Sequence, residues 1–221
     1  MNKHFFLLLC SGLVLLNSCT REEIDLITDT PTTGYRVEGK VFDRLRTPVP
    51  DVSIYATFAL DPDLSSEPVP NTYTVTAKSD TVRVWVEDRA GSHVRLILAA
   101  RQEPGTYPIL WDGKNDAGTR VPINIYIVKV TVNAQKQFEK QVLNNGEFIS
   151  LTDSTGTFNL DDNDLPIGET PVAEWNQYTR SFIGRYSIMP IMTLYFYKNP
   201  VTVERTLSLR KNRVEYVEVI M

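Results

Sequence analysis

Two histidines, His4 and His93, and two cysteines, Cys10 and Cys19, are the side chains of this 221-residue chain best suited to metal or nucleophilic chemistry. They are badly spaced for it. His4 and Cys10 fall in an apolar leader expected to be removed, which leaves His93 and Cys19 and excludes zinc fingers, histidine-rich zinc sites and disulfides within one chain. Ser92 is the chain neighbour of His93 and poorly placed to pair with it, and no G-x-S-x-G elbow accompanies them. Asp161, Asp162, Asn163 and Asp164 form the densest carboxylate cluster. Glycosidase chemistry needs two carboxyl groups straddling a sugar, which neighbours on one short loop cannot do. A solvated loop or a weak surface calcium site suits them better. Asp112, Asn115 and Asp116 are hard oxygen ligands, but Lys114 breaks the spacing of a calcium-binding loop, so local turn bonding is expected. There is no phosphate-binding loop and no dinucleotide fingerprint. The expectation is a protein without enzymatic activity and without a cofactor.

The remaining reactive residue, Cys19, sits in a particular context. Lys3 gives the N-terminus a positive start, and Phe5 to Leu16 form a nearly unbroken apolar run, the length of a signal-peptide core and too short to span a bilayer. The run ends in Leu16-Asn17-Ser18-Cys19, which resembles the bacterial lipobox. That resemblance implies cleavage before Cys19 and acylation of its thiol, hence a membrane-anchored lipoprotein of the cell envelope, on the outer membrane, at its periplasmic face or at the cell surface. Residues 1–18 are then the signal peptide. Residues 19–34 carry Arg21, Glu22, Glu23, Asp25 and Asp29, then Pro31, Thr32 and Thr33, and read as an acidic tether. The acidic cluster either resembles a surface-export signal or simply solvates the linker.

Those few reactive groups must be carried on strands. Val, Ile and Thr number 22, 14 and 22, aromatic residues 22, and Ala only 9. β-Branched and aromatic side chains fit a pleated, half-buried surface, and Ala is the best helix former. Net charge is −4, without the electrostatic footprint of a nucleic-acid binder. Val82, Val84 and Val86 alternate with polar partners, and Asp88–Gly91 supplies a turn. Val94, Leu96 and Leu98 continue a second strand, and Tyr107, Ile109 and Trp111 a third. Ile123, Ile125 and Ile127 alternate, after which Val128, Val130 and Val132 do so in the opposite phase, predicting a bulge near Ile127-Val128. Asn133-Ala134 then turns the chain into a strand through Phe138 and Val142.

The stretch Val86 to Asn133 resembles the flagellar hook-capping-type (FlgD-like) immunoglobulin-like domain. Asp88 and Gly91 fit its first turn, Pro104, Gly105 and Tyr107 its second, and Trp111, Asp112, Gly113, Asn115 and Gly118 its third. Tyr126 fits the aromatic opening of the next strand, and Asn124 stands where Gly is common. The resemblance implies a β-sandwich used for packing and spacing, with no catalytic residues. Trp111 alternates in phase with Tyr107 and Ile109, which predicts a core plug and not a ligand platform.

The flanks resemble the two halves of a carboxypeptidase-regulatory-like (transthyretin-like) domain. Gly39, Val41, Asp43, Pro48, Val49, Val52 and Ile54 match the first half, and Thr152, Asp153, Gly156, Phe158, Leu160, Leu165, Pro166 and Gly168 the second. An inserted domain accounts for the long gap between them. The fold class is therefore all-β, with two immunoglobulin-like/transthyretin-like β-sandwich modules, one inserted into the other. Residues 35–70 plus 145–221 form the split module and residues 71–144 the inserted one. The rival arrangement is three small sequential β units, and Gly168–Tyr186 is an excursion that neither explains.

The functional expectation is a non-enzymatic envelope lipoprotein, bound to the membrane through Cys19, that presents sandwich edges and loops to a protein partner and binds no nucleic acid. The alternative is a glycan-binding surface lipoprotein of a polysaccharide-uptake system, with Trp175, Tyr178 and Tyr186 as exposed stacking surfaces.

Overall fold

The computed structural model describes residues 33–64, 71–78, 80–144, 148–168 and 170–221. The leader and Cys19 lie outside them. The strands are β1 (Tyr35–Phe42), β2 (Ser53–Pro62), β3 (Thr72–Val75), β4 (Asp80–Asp88), β5 (His93–Gln102), β6 (Gly105–Pro108) and β7 (Asn124–Val132). They continue as β8 (Gln135–Asn144), β9 (Phe148–Leu151), β10 (Thr157–Leu160), β11 (Val172–Asn176), β12 (Ser181–Lys198), β13 (Val201–Ser208) and β14 (Arg213–Ile220). The protein is all-β.

One nine-stranded sheet, in the order β5-β4-β7-β8-β11-β12-β2-β9 with β13 also paired to β12, underlies the molecule. Two smaller sheets cover the same long sheet at different places. The three-stranded sheet β10-β1-β14 packs Val37, Val41, Phe158, Leu160, Val217 and Val219 against Ile54, Ala56, Leu194 and Phe196, giving a first core. The hairpin of β3 and β6 and the segment holding Ile109 and Trp111 close a second core over Val82, Val84, Val86, Val128 and Val130. The result is two β-sandwiches sharing one sheet.

Strand β12 makes the sharing possible. Its first six residues, Ser181 to Tyr186, pair with β11, and Tyr186 to Tyr197 pair with β2. β11 in turn lies parallel to β8. The Gly168–Tyr186 excursion is thus a hairpin that bridges the sandwiches, and it sends Ala173 and Trp175 into the second core. In exchange, Ile123, Ile125 and Leu143 belong to the first core.

That exchange corrects the expected bulge at Ile127-Val128. β7 pairs with β4 without interruption from Tyr126 to Val132. The change of phase falls at Ile125-Tyr126, where consecutive residues are both buried, one in each core. A strand exposes alternate faces, so a strand passing from one core to another must reverse its apolar pattern. Leu96 is a second correction, being 40% exposed. Register shifts at Val84/Trp85 and Val86/Glu87 rotate β5, and Val94, Ile97 and Leu98 pack inward instead.

Gly39 shows how closely the first core is built. A Cβ there would lie 2.3 Å from the Val217 carbonyl oxygen and 2.5 Å from the Phe158 ring. Trp175 plays the matching part in the second core, fully buried and edge-on to Phe182 with ring centroids 5.1 Å apart. Truncation of a buried aromatic residue costs about 3–5 kcal/mol. Trp175→Ala is expected to lower the unfolding free energy by about that amount in urea titrations. A loss under about 1 kcal/mol would mean that the hairpin is not part of the core.

Candidate binding surface

The six motif residues between Trp111 and Tyr126 come together around one loop. Trp111 is fully buried and donates its Nε1 to the Lys114 carbonyl at 3.0 Å, folding the loop back over its own ring. Its ring meets Tyr126 edge-on, centroids 5.2 Å apart, and its carbonyl oxygen accepts from Trp175 Nε1 at 3.2 Å. Asp112 Oδ1 accepts from the Lys114 amide, and Asn115 Oδ1 from the Thr119 amide at 3.0 Å. Gly113 takes φ +68°, and a Cβ on it would meet Gln177 at 2.5 Å, so the loop and the β11–β12 hairpin close on each other there. Gly118 takes a positive φ at the loop's far end. Tyr126 donates its hydroxyl to the Pro122 carbonyl at 3.0 Å. Burial, followed by the nearby Asp88 carboxylate, pushes its pKa well up. These four side chains and two glycines hold backbone and fill core.

Asp116 does something else. Its backbone N–H donates to the Val94 carbonyl and its Oδ1 accepts from the Leu96 amide at 2.9 Å. The loop thereby imitates a neighbouring strand along the outer side of β5, which ends the nine-stranded sheet. Its second oxygen, Oδ2, lies 2.7 Å from His93 Nε2. Beyond this cap, Ala99, Ala100 and Arg101 of β5 are exposed. An exposed strand edge offers unpaired backbone groups to another chain.

Ser92 is absorbed by the Asp88 turn, its amide donating to Asp88 Oδ1 and its carbonyl accepting from the Asp88 amide. His93 therefore meets an aspartate at the sheet edge while its serine neighbour serves a turn. The Asp161–Asp164 cluster is likewise a turn: Asp161 Oδ1 accepts from the Asn163 amide, Asp164 Oδ2 from the Asp161 amide, and Asp162 Oδ1 from the Tyr35 amide at 2.9 Å. Burial raises the Asp164 pKa. Two residues, one just past β4 and one opening β7, pin this turn. Arg89 donates Nη1 to the carbonyls of Asp162 and Leu165, and Asn124 donates Nδ2 to the Asn163 carbonyl at 2.6 Å. Asn124, standing where Gly is common, is thus a strut between the sandwiches. Among the described residues no group of three or more His, Cys, Asp or Glu is placed to hold a metal ion.

The aromatics expected to form an exposed stacking surface do not do so together. Trp175 is fully buried, whereas Tyr178 is 73% exposed beneath the Arg120 guanidinium, 5.0 Å from its ring centroid.

The Asp116 pKa lies below the ordinary 3.8, chiefly because the Leu96 amide and then His93 bond the charged form. A lowered folded-state value stabilises above the unfolded value and is lost as pH falls through the folded one. Asp116→Asn is expected to flatten the fall of melting temperature between about pH 5 and pH 2. Parallel curves for the two proteins would show that the cap does not depend on its charge.

Residues 61–136 match the family model of the FlgD Ig-like domain, a span that takes in β3 to β7, the Trp111 loop and the turn into β8. None of the curated proteins matches the chain. Within a larger all-β body, this span of the protein is thus similar to the FlgD Ig-like domain.

Proposed function

We propose that this chain is a non-enzymatic lipoprotein of the cell envelope, anchored on the outer membrane through an acylated Cys19, whose sandwiches present a sheet edge to a protein partner. The observation that carries the interaction reading is β5. It ends a nine-stranded sheet, is covered by Asp116 only at Val94–Leu96, and exposes Ala99, Ala100 and Arg101 beyond that point. An extended segment of a partner can add there as a further strand, with main-chain hydrogen bonds for affinity. A structural or interaction role accords with the FlgD Ig-like match, and the motif loop's groups are spent on turns and packing. The anchor reading rests on the Leu16–Cys19 pattern and on the acidic, Pro/Thr-containing stretch after it. Two or three acyl chains hold a protein stably on a bilayer, whereas one does so only weakly.

Both parts have direct tests. Cys19→Ala is expected to move the protein from the membrane pellet to the soluble fraction; unchanged pelleting after a carbonate wash would refute the anchor. Ala99→Lys, an exposed change that blunts a strand edge, is expected to abolish co-purification of the partner from detergent-solubilised envelopes while leaving the melting temperature within about 2 °C. A partner retained by the folded variant would rule out β5 as the docking edge.

A further inference from the structure

The outer face of the first sandwich carries a second surface of different chemistry, independent of the β5 edge. On β2 and β12, Ile54, Ala56, Leu194 and Phe196 point into the core with no exposure, so the residues between them point outward. Cross-strand register sets Tyr55 opposite Tyr195, Thr57 opposite Thr193, and Ser53 opposite Tyr197. β13 extends the face, with Thr206 opposite Thr193, Glu204 opposite Tyr195 and Thr202 opposite Tyr197. Thr193 and Thr206 share a hydroxyl–hydroxyl hydrogen bond of 3.0 Å. On β9, Phe148 packs edge-on to Tyr55, centroids 6.1 Å apart.

A groove of about 460 Å³ runs over this face, lined by Tyr55, Ala56, Thr57, Tyr195, Tyr197 and Thr202. Five of those six residues end in a hydroxyl and none is charged. Binding pockets are typically about 300–1,000 Å³, apolar in lining with a few polar groups that fix orientation. The chemistry here is narrower than that. Among the described residues that line it there is no cation to bind a phosphate, a sulfate or an anionic lipid headgroup, and the charged residue bordering it in this register is the acidic Glu204. There is also no large aliphatic side chain in the lining to anchor a protein hot spot. Aromatic rings beside hydroxyls on a rigid sheet suit a ligand with alternating C–H faces and hydroxyl groups.

We infer that the Tyr55–Tyr195–Tyr197 groove binds a neutral oligosaccharide, its sugar rings against the tyrosine rings and its hydroxyls bonded to Thr57, Thr202 and the tyrosine hydroxyls. This site lies on residues other than Trp175, Tyr178 and Tyr186, and it stands or falls separately from the protein-partner reading.

The test is affinity electrophoresis of the full-length chain in native gels cast with neutral polysaccharides (amylopectin, mannan, xyloglucan and mixed-linkage β-glucan), with polygalacturonate as the anionic control. At least one neutral gel is expected to retard the protein, and the polygalacturonate gel is not. Tyr55→Thr and Tyr195→Thr keep strand propensity and are expected to weaken retardation at least about tenfold. Tyr197→Phe is expected to keep most of it, and Tyr178→Ala all of it. Circular dichroism melts verify folding, and Tyr197→Ala, at a position 41% exposed, replaces either threonine variant that fails to fold. Retardation by none of the neutral gels overturns the assignment. So does equal retardation by polygalacturonate, or binding that survives in the folded tyrosine variants. A dimer seen by sedimentation and lost in the same variants also overturns it, because the groove would then be an interface between copies.

Discussion

Everything in this molecule depends on β12 being shared. One strand of 18 residues pairs first with β11 and then with β2, and so makes a single sheet of what would be two. The constraint is geometric. A strand presents alternate residues to each face, and the two cores use the long sheet at different places, so strands near the junction serve both. Ile125 and Tyr126 on β7 are adjacent in the chain and buried in different cores. Ala173 and Trp175 reach the second core from β11, which pairs with the first sandwich's longest strand. Arg89 and Asn124 then lock the turn at Asp161–Asp164 from the other side. Neither sandwich closes its core alone.

Such interlocking explains which features could be read from the residues. The Val82–Val86 alternation, the Asn133-Ala134 turn with both residues at positive φ, and the burial of Trp111 all follow from local pattern and turn chemistry. The phase reversal in Ile123–Val132 was visible too, but periodicity measures only which side a residue faces. It does not say whether a reversal comes from an extra residue or from a change of core. Leu96 was misplaced because two register shifts separate β5 from β4 and leave Ile97 and Val94 of β5 without a partner position, which only the pairing of the two strands reveals. Gly168–Tyr186 stayed opaque for a related reason. Its strands are stabilised by long-range pairing with β8 and by two tryptophans meeting across the core, which are contacts that no short window contains.

The candidate surfaces divide in the same way. The Trp111 loop was legible as a turn because Asp, Asn and Gly at that spacing bond their own backbone. That Asp116 also guards the edge of β5 was not, since the residues it bonds, Val94 and Leu96, lie twenty or more positions away. The Tyr55, Tyr195 and Tyr197 face was hidden for a stronger reason. Each tyrosine alternates with core residues on its own strand and looks ordinary there, and only the register of β2 against β12 makes a surface of them. Trp175 taught the opposite lesson, because an aromatic residue in an irregular stretch proved to be a buried plug.

The way the chain enters β1 has a mechanical consequence. Gly34 and Tyr35 are held by Asn212 and Asp162, and β1 then runs parallel to β14 over eight paired positions while β10 grips its other side. A pull on Gly34 along the strand axis loads those backbone bonds together in shear instead of opening them one after another. The body is therefore braced for tension arriving from its own N-terminus.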